Sequence, residues 1–162
     1  METSIHSDGQ ESSEARLSRQ AISYVVHTLL ALLAWALLMA VGYIVNPQGV
    51  PQSAILALSI LVPLAAGFAM MKVRPSEMAP AVWLMGLIWI LILALWVLDM
   101  PTGPNECFQC GATEKITRTF LSLPSPSGLI DNDGPFLGTW PAAALMGYAI
   151  GAKLGLRGRK KF

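Results

Sequence analysis

The feature that most constrains this chain is a long interval without formal charge. No Lys, Arg, Asp or Glu occurs from Gln20 to Met71, and Leu, Ala, Ile and Val dominate the interval. One helix of about 20 apolar residues crosses the hydrocarbon core of a bilayer, so the interval is long enough for two. The sequence Asn46-Pro-Gln-Gly-Val-Pro51 divides it, because proline and glycine end helices and residues before proline leave helical geometry.

Four membrane-spanning helices are predicted from these apolar segments and their boundaries. The predicted spans are residues 24–45, 53–71, 79–98 and 139–156. Thr139 suits the start of the last span, and Pro141 stands in its first turn, where a missing N–H costs little. Only 13% of the chain is charged, against about 25% in soluble domains, whose helices also need polar faces. The sequence therefore predicts an all-α membrane protein, with a four-transmembrane-helix bundle in residues 21–156 surrounded by the lipid bilayer.

The distribution of basic residues predicts the orientation of this bundle. Nine of the eleven Lys and Arg residues lie near one predicted end: Arg16, Arg19, Lys72, Arg74, Lys153, Arg157, Arg159, Lys160 and Lys161. The long loop at residues 99–136 carries the other two, Lys115 and Arg118. Because Lys and Arg accumulate on the cytoplasmic side, the polar tail 1–20 and the basic tail 157–162 are expected in the cytoplasm. The loop then faces the periplasm or the extracellular space. This topology without a cleavable leader is typical of a plasma membrane, such as the bacterial inner membrane.

Few side chains inside the predicted spans suggest chemistry. Ionisable groups at membrane depth usually mark ion paths or proton relays, and the spans have only Lys153, near an end, and His27. His27 is interpreted either as a haem or quinone-site ligand or as a hydrogen-bonded interfacial residue. Pro63 cannot donate to the carbonyl of Ser59, which predicts a kink in the second helix. The Ser59 hydroxyl is expected to satisfy a freed backbone group.

The fourth predicted helix carries a packing motif, a glycine zipper. Small residues recur every four positions, at Ala143, Gly147, Gly151 and Gly155. Such a stripe lets another helix backbone approach closely, and close packing drives helix association in lipid. Two alternatives stay open: the stripe packs within this chain, or it binds a second copy or another subunit of a larger membrane complex.

The long loop contains the only two cysteines, in Cys107-Phe-Gln-Cys110. Covalent haem attachment needs a histidine where Gly111 stands, and zinc needs further ligands that the loop does not have. A structural disulfide is favoured on the oxidising side of a membrane. A redox-active pair is the main alternative, because a helix N-terminus can lower a thiol pKa. The amphipathic stretch from Glu114 to Leu123 predicts a short surface helix, which begins about three residues after Cys110.

Asp131-Asn-Asp-Gly134 suggests either a turn or a calcium loop. The turn is favoured, because Asn, Asp and Gly bend the chain locally and the late glutamate of a calcium loop is missing. No metal, cofactor or nucleic-acid partner is expected. The predicted function is that of a non-enzymatic accessory, assembly or stabilising subunit. The alternatives are a membrane thiol–disulfide oxidoreductase or electron relay that uses Cys107 and Cys110, and a small carrier of neutral solutes.

Overall fold

The structure, a computed structural model, describes residues 5–46, 49–99, 111–121, 126–127 and 133–158. These residues are almost entirely helical. In chain order the elements are α1 (Ile5–Val45), β1 (Val50–Pro51), α2 (Gln52–Val73), a 3₁₀ turn (Ala79–Val82), α3 (Trp83–Asp99), α4 (Ala112–Phe120), β2 (Pro126–Ser127), α5 (Asp133–Leu137) and α6 (Thr139–Arg157).

Among the residues that the structure describes, three helical segments are long and apolar enough to cross a membrane. They are Ser13–Val45 in α1, Gln52–Val73, and Ala79–Asp99, which combines the 3₁₀ turn with α3. The described part of the chain is therefore almost all helical with three helices suited to a bilayer, which agrees with the predicted class at this level. The fourth predicted span corresponds to α6, which is not among the three. Its many Ala and Gly residues and Lys153 make α6 less apolar than α2 and α3.

α6 is less apolar than α2 and α3 and is also the most buried of the long helices. Trp140, Ala144, Tyr148 and Ala152, four residues apart along α6, have no exposed surface. α1, α2, the 3₁₀ turn and α3 all contact α6. Small side chains on α6 let these neighbours approach closely, so α6 forms the core around which the other helices pack.

The helices around α6 alternate in direction. α2 runs parallel to α6, while α1 and α3 run antiparallel to it. The contacts that fix these directions are Ile60–Gly147 and Leu64–Gly151 for α2, His27–Tyr148 and Trp35–Phe136 for α1, and Gly86–Ala142 and Trp89–Leu137 for α3. Among the described residues, the basic side chains of α1, of the end of α2 and of the end of α6 therefore lie at one end of the bundle, and those of α4 lie at the other.

Several element boundaries differ from those predicted. α1 begins at Ile5 rather than at residue 24, because no proline interrupts the chain between the polar tail and the first apolar segment. α2 continues without a break through Pro63. The predicted surface helix is α4, and it begins at Ala112, earlier in the chain than expected.

At the other end of the bundle, part of the long loop folds over the helices. β1 pairs with β2 in antiparallel register, with Val50 opposite Ser127 and Pro51 opposite Pro126. This pairing joins the loop to the start of α2. α4, β2 and α5 together are called the cap below.

Candidate functional site

The glycine stripe of α6 makes a close contact with the backbone of α2. A Cβ built on Gly147 or Gly151 would lie less than 3.0 Å from the backbone carbonyl oxygen of Ile60 or Leu64 in α2. Real Cβ atoms do not tolerate such distances, so only glycine permits this approach. Gly67 of α2 makes the reciprocal contact with a carbonyl of α6. Contacts between Cα–H groups and carbonyl oxygens recur at interfaces of this kind.

This geometry bears on the two predicted uses of the stripe. Gly155 faces the Met71 side chain of α2, and Ala143, only 9% exposed, is also buried within the chain. A second copy or another subunit therefore has no access to this face unless α2 is displaced. The structure assigns the stripe to packing within the chain, so a partner must use a different surface.

Pro63 and Ser59 lie on the buried face of α2, towards the centre of the bundle. The expectation that the Ser59 hydroxyl satisfies a freed backbone group is wrong, because its Oγ has no hydrogen-bond partner among the described residues. Both residues are fully buried, which leaves the hydroxyl enclosed by apolar and backbone atoms.

A line of polar side chains joins α1 to the rest of the bundle near its basic end. Ser23 Oγ and Ser76 Oγ are 2.6 Å apart, and His27 Nδ1 is 2.7 Å from Tyr148 Oη. Ser23 and His27, four residues apart, lie on the same face of α1. His27 is 4% exposed and Tyr148 is fully buried. We call Ser23, His27, Ser76 and Tyr148 the polar seam.

His27 forms the kind of hydrogen bond that its interfacial interpretation requires. The bond to Tyr148 uses Nδ1; it does not exclude a ligand on Nε2, because ligating histidines ordinarily form a hydrogen bond through their other ring nitrogen. A buried imidazole without a partner would cost about 1–3 kcal/mol. Tyr148 removes that cost and attaches α1 to the central helix, so the seam is a structural link between helices.

Two open grooves flank the seam. One, about 590 Å³ in volume, lies between the polar N-terminal part of α1 and the connection from α2 to α3. Its lining includes Arg16, Arg19 and Glu77. The other, about 520 Å³, lies between the 3₁₀ turn with the start of α3 and the outer face of α6. Arg118 and Glu114 form an ion pair within α4.

At the opposite end, the cap is attached to the helices by specific hydrogen bonds. The Thr139 hydroxyl donates to the carbonyl of Phe120, which ties the end of α4 to the start of α6. Trp89 Nε1 donates to the carbonyl of Leu137 at 2.7 Å. Gly138 lies against Phe120 so closely that a Cβ there would collide with it. The cap is therefore built onto α3 and α6 rather than lying free on the surface.

Four buried polar side chains have no hydrogen-bond partner within the described ranges. They are Trp35, Gln52, Ser59 and Trp140. Gln52 is the most unusual, because both its amide oxygen and its amide nitrogen are unpaired while the residue has no exposed surface. Burying an amide without compensation costs about 2–7 kcal/mol relative to water, depending on the reference state.

The predicted thiol site lies outside the described residues. Cys107 and Cys110 fall between Asp99 and Gly111, and the turn at Asp131 and Asn132 also falls outside these ranges. Gly111 is the N-cap of α4, so Cys110 directly precedes a helix cap in the sequence. In the described segments no group of three or more His, Cys, Asp or Glu side chains is placed to hold a metal ion.

Comparison of the chain with protein-family models, with curated proteins and with solved structures finds no match. The class of the protein therefore follows from its own helices, and its function is inferred from its own surfaces.

Sequence reasoning did not identify the polar seam or the buried amide. His27 and Tyr148 are separated by 121 positions, and no spacing rule links residues on different helices at that distance. Gln52 stands beside Pro51 at a predicted helix boundary, where a polar residue is ordinarily exposed. Its position on the same helical face as Ile55 and Ser59 was the signal that could have placed it inside.

Proposed function

We propose that this chain is a four-span membrane protein of the plasma membrane that acts as a non-enzymatic accessory, assembly or stabilising subunit. α6 supports the fourth span by its length. Its 19 residues extend about 28 Å at 1.5 Å per residue, close to the roughly 30 Å of the hydrocarbon core. The alternating directions of the helices around α6 are those that four successive crossings would produce.

The proposed orientation places both termini in the cytoplasm and the cap outside. Arg74 and Lys153 lie at the end of the polar seam, whereas Lys115 lies in the cap. The excess of Lys and Arg at the seam end supports its cytoplasmic placement.

The observation that carries the accessory role is the uncovered length of α1. α1 has 41 residues, which corresponds to about 60 Å, roughly twice the thickness of the hydrocarbon core. Only 17% of its most apolar stretch is buried in the chain, against 28% for α2 and 22% for the segment that contains α3. Exposed apolar residues repeat every four positions along one face, at Leu29, Leu33, Leu37 and Val41.

The polar part of α1 indicates that the exposed apolar face of this helix contacts a protein partner and not lipid alone. Residues 13–19 are all exposed, and they continue the helix beyond the apolar segment. A helix of this kind gains most of its stability from packing, because isolated helices in water are marginal. A partner that crosses the same membrane and reaches past its surface would cover both parts of α1. We therefore place the partner-binding surface on α1, with Leu33 near its centre.

Site-specific photocrosslinking in native membranes tests this proposal. A photoreactive amino acid at Leu33 is expected to give a discrete crosslinked protein. The same substitution at Leu91, an exposed apolar residue on α3, is the matched control and is expected to give none. Equal crosslinking from the two positions, or none from either, would contradict a partner surface on α1.

A thiol–disulfide oxidoreductase that uses Cys107 and Cys110 is the second candidate function. The observation in its favour is the start of α4, because Gly111 caps the helix and Cys110 precedes Gly111. Partial positive charge at a helix N-terminus stabilises a thiolate and increases its reactivity. The cap, attached to α3 and α6, would hold such a pair at the end of the bundle.

A redox titration with mass-tagged thiols separates a catalytic pair from a structural disulfide. A reduction potential of about −200 mV or higher supports the oxidoreductase, and a value below about −300 mV supports a structural bond. Cys107→Ser with Cys110→Ser should leave crosslinking from Leu33 unchanged if the accessory role is independent of the thiols.

A further inference from the structure

The groove between the start of α3 and the outer face of α6 is the place where the central helix reaches the surface. Met146, Ile150 and Leu154, four residues apart, are 46–48% exposed, whereas most of α6 is buried. Met146 and Ile150 line the groove together with Ala149, and Trp83 borders it from the start of α3. The floor is therefore apolar, and an indole, which favours membrane interfaces, stands at its side.

The groove ends among positive charges. Lys153 lines it, and Arg157, one helical turn further along α6, is exposed on the same face. Glu77 also lines the groove, but among the described residues neither cation has a carboxylate within ion-pair distance. Unpaired cations at the boundary of an apolar groove are complementary to a ligand with an anionic head and an apolar tail.

From this juxtaposition we infer that the groove binds an anionic phospholipid. One acyl chain lies along Met146, Ala149 and Ile150, and the phosphate group contacts Lys153 and Arg157. From Met146 to Lys153 the groove rises about 10 Å along the helix, which matches the head group of a lipid together with the upper part of its acyl chain. The inference goes beyond the proposed subunit role and does not depend on a partner for α1.

The occupant is a membrane lipid rather than free phosphate, because both the basic end and the apolar floor of the groove contribute to its binding. Electrostatic attraction at a membrane surface amounts to about fivefold in affinity per Lys or Arg, which alone is too weak and too general to define a site. Van der Waals packing of the acyl chain against α6 adds a contribution that a soluble phosphate lacks.

Native mass spectrometry of the detergent-purified full chain, titrated with phosphatidylglycerol and with phosphatidylcholine of the same acyl chains, measures this selectivity. Phosphatidylglycerol is expected to bind more tightly, and Lys153→Gln should weaken it about fivefold. The control is Arg16→Gln. Arg16 lies at the same end of the bundle but lines the other groove, so this variant should change the affinity for phosphatidylglycerol less than twofold. Glycerol phosphate at millimolar concentration should not displace the lipid.

A second variant tests the apolar part of the groove with all charges retained. Ile150→Trp fills the groove on an exposed face and is expected to weaken phosphatidylglycerol binding severalfold without loss of folding. Leu91→Trp, on the exposed face of α3, is the control. Equal affinities for the two lipids, equal effects of Lys153→Gln and Arg16→Gln, or displacement by glycerol phosphate would each overturn the inference.

Discussion

Replacement of Gly151 tests the central contact of the fold. A Cβ at this position would lie less than 3.0 Å from the Leu64 carbonyl oxygen and against further backbone atoms of Leu64. Backbone atoms cannot rotate away as the end of a side chain can, so α2 and α6 must move apart. A separation of about 0.5–1 Å already loses a quarter to a half of the dispersion energy of each affected contact.

The expected cost follows from two opposing effects. Overpacking of a well-packed core costs about 1–3 kcal/mol, while replacing glycine by alanine in a helix gains up to about 1 kcal/mol. Gly151→Ala should therefore lower the free energy of unfolding by about 1–2 kcal/mol. Gly151→Ile adds a branched side chain at the same place and should lower it by about 3 kcal/mol.

The measurement is equilibrium unfolding in mixed detergent micelles, followed by tryptophan fluorescence and circular dichroism. Gly86→Ala is the matched control, because its Cβ would be 3.3 Å from the carbonyl oxygen of Ala142, a distance that small shifts relieve. It should not destabilise the chain and should raise the free energy of unfolding by up to about 1 kcal/mol, because the gain in helix propensity is not offset by overpacking. The reasoning is refuted if Gly151→Ile leaves the monomer as stable as before. If the variant instead dissociates an oligomer of stable monomers, the stripe serves a second copy.

Three further variants test the polar contacts. Tyr148→Phe should lower the free energy of unfolding by about 1–3 kcal/mol, because it leaves the buried His27 imidazole unpaired; a thermal melt unaffected by the change would contradict the polar seam. Thr139→Val removes the hydrogen bond to Phe120 and should increase amide hydrogen exchange in α4 but not in α6, whereas uniform exchange would show that this bond does not attach the cap. Gln52→Leu should raise the thermal midpoint, because an amide that costs about 2–7 kcal/mol to bury unpaired is replaced by an apolar group; a lower midpoint would mean that the amide has a partner.

The positions of the long helices could be predicted because charge and proline mark their limits. The uncharged interval from Gln20 to Met71 contains both of the first two apolar helices, and the prolines at its centre separate them. The start of α1 could not be predicted in the same way. The polar part of α1 has no periodic apolar face that packs on the rest of the chain. Its sequence therefore does not distinguish it from an irregular tail.

The contacts between helices were less accessible to sequence reasoning than the helices themselves. The four-residue repeat that ends at Gly155 indicated a close helix approach, but it could not indicate which helix would approach. The choice depends on α2, where Gly67 permits the matching approach from the other side. The partner of His27 was hidden for a related reason, because a hydrogen bond between distant helices depends on their rotation and not on local spacing.

α6 combines modest hydropathy with deep burial. This combination explains why the number of membrane spans is harder to assign than the positions of the helices. Hydropathy measures how well a helix suits lipid, but a helix surrounded by other helices mainly contacts protein. Small residues such as Ala144, Gly147 and Ala152 suit that environment because they allow close approach, and they contribute little hydropathy. α6 therefore ranks below the three apolar segments while it is the most buried of the long helices. The outer stripe at Met146, Ile150 and Leu154 is the exception that supports this interpretation, since its large apolar side chains occur where α6 is exposed.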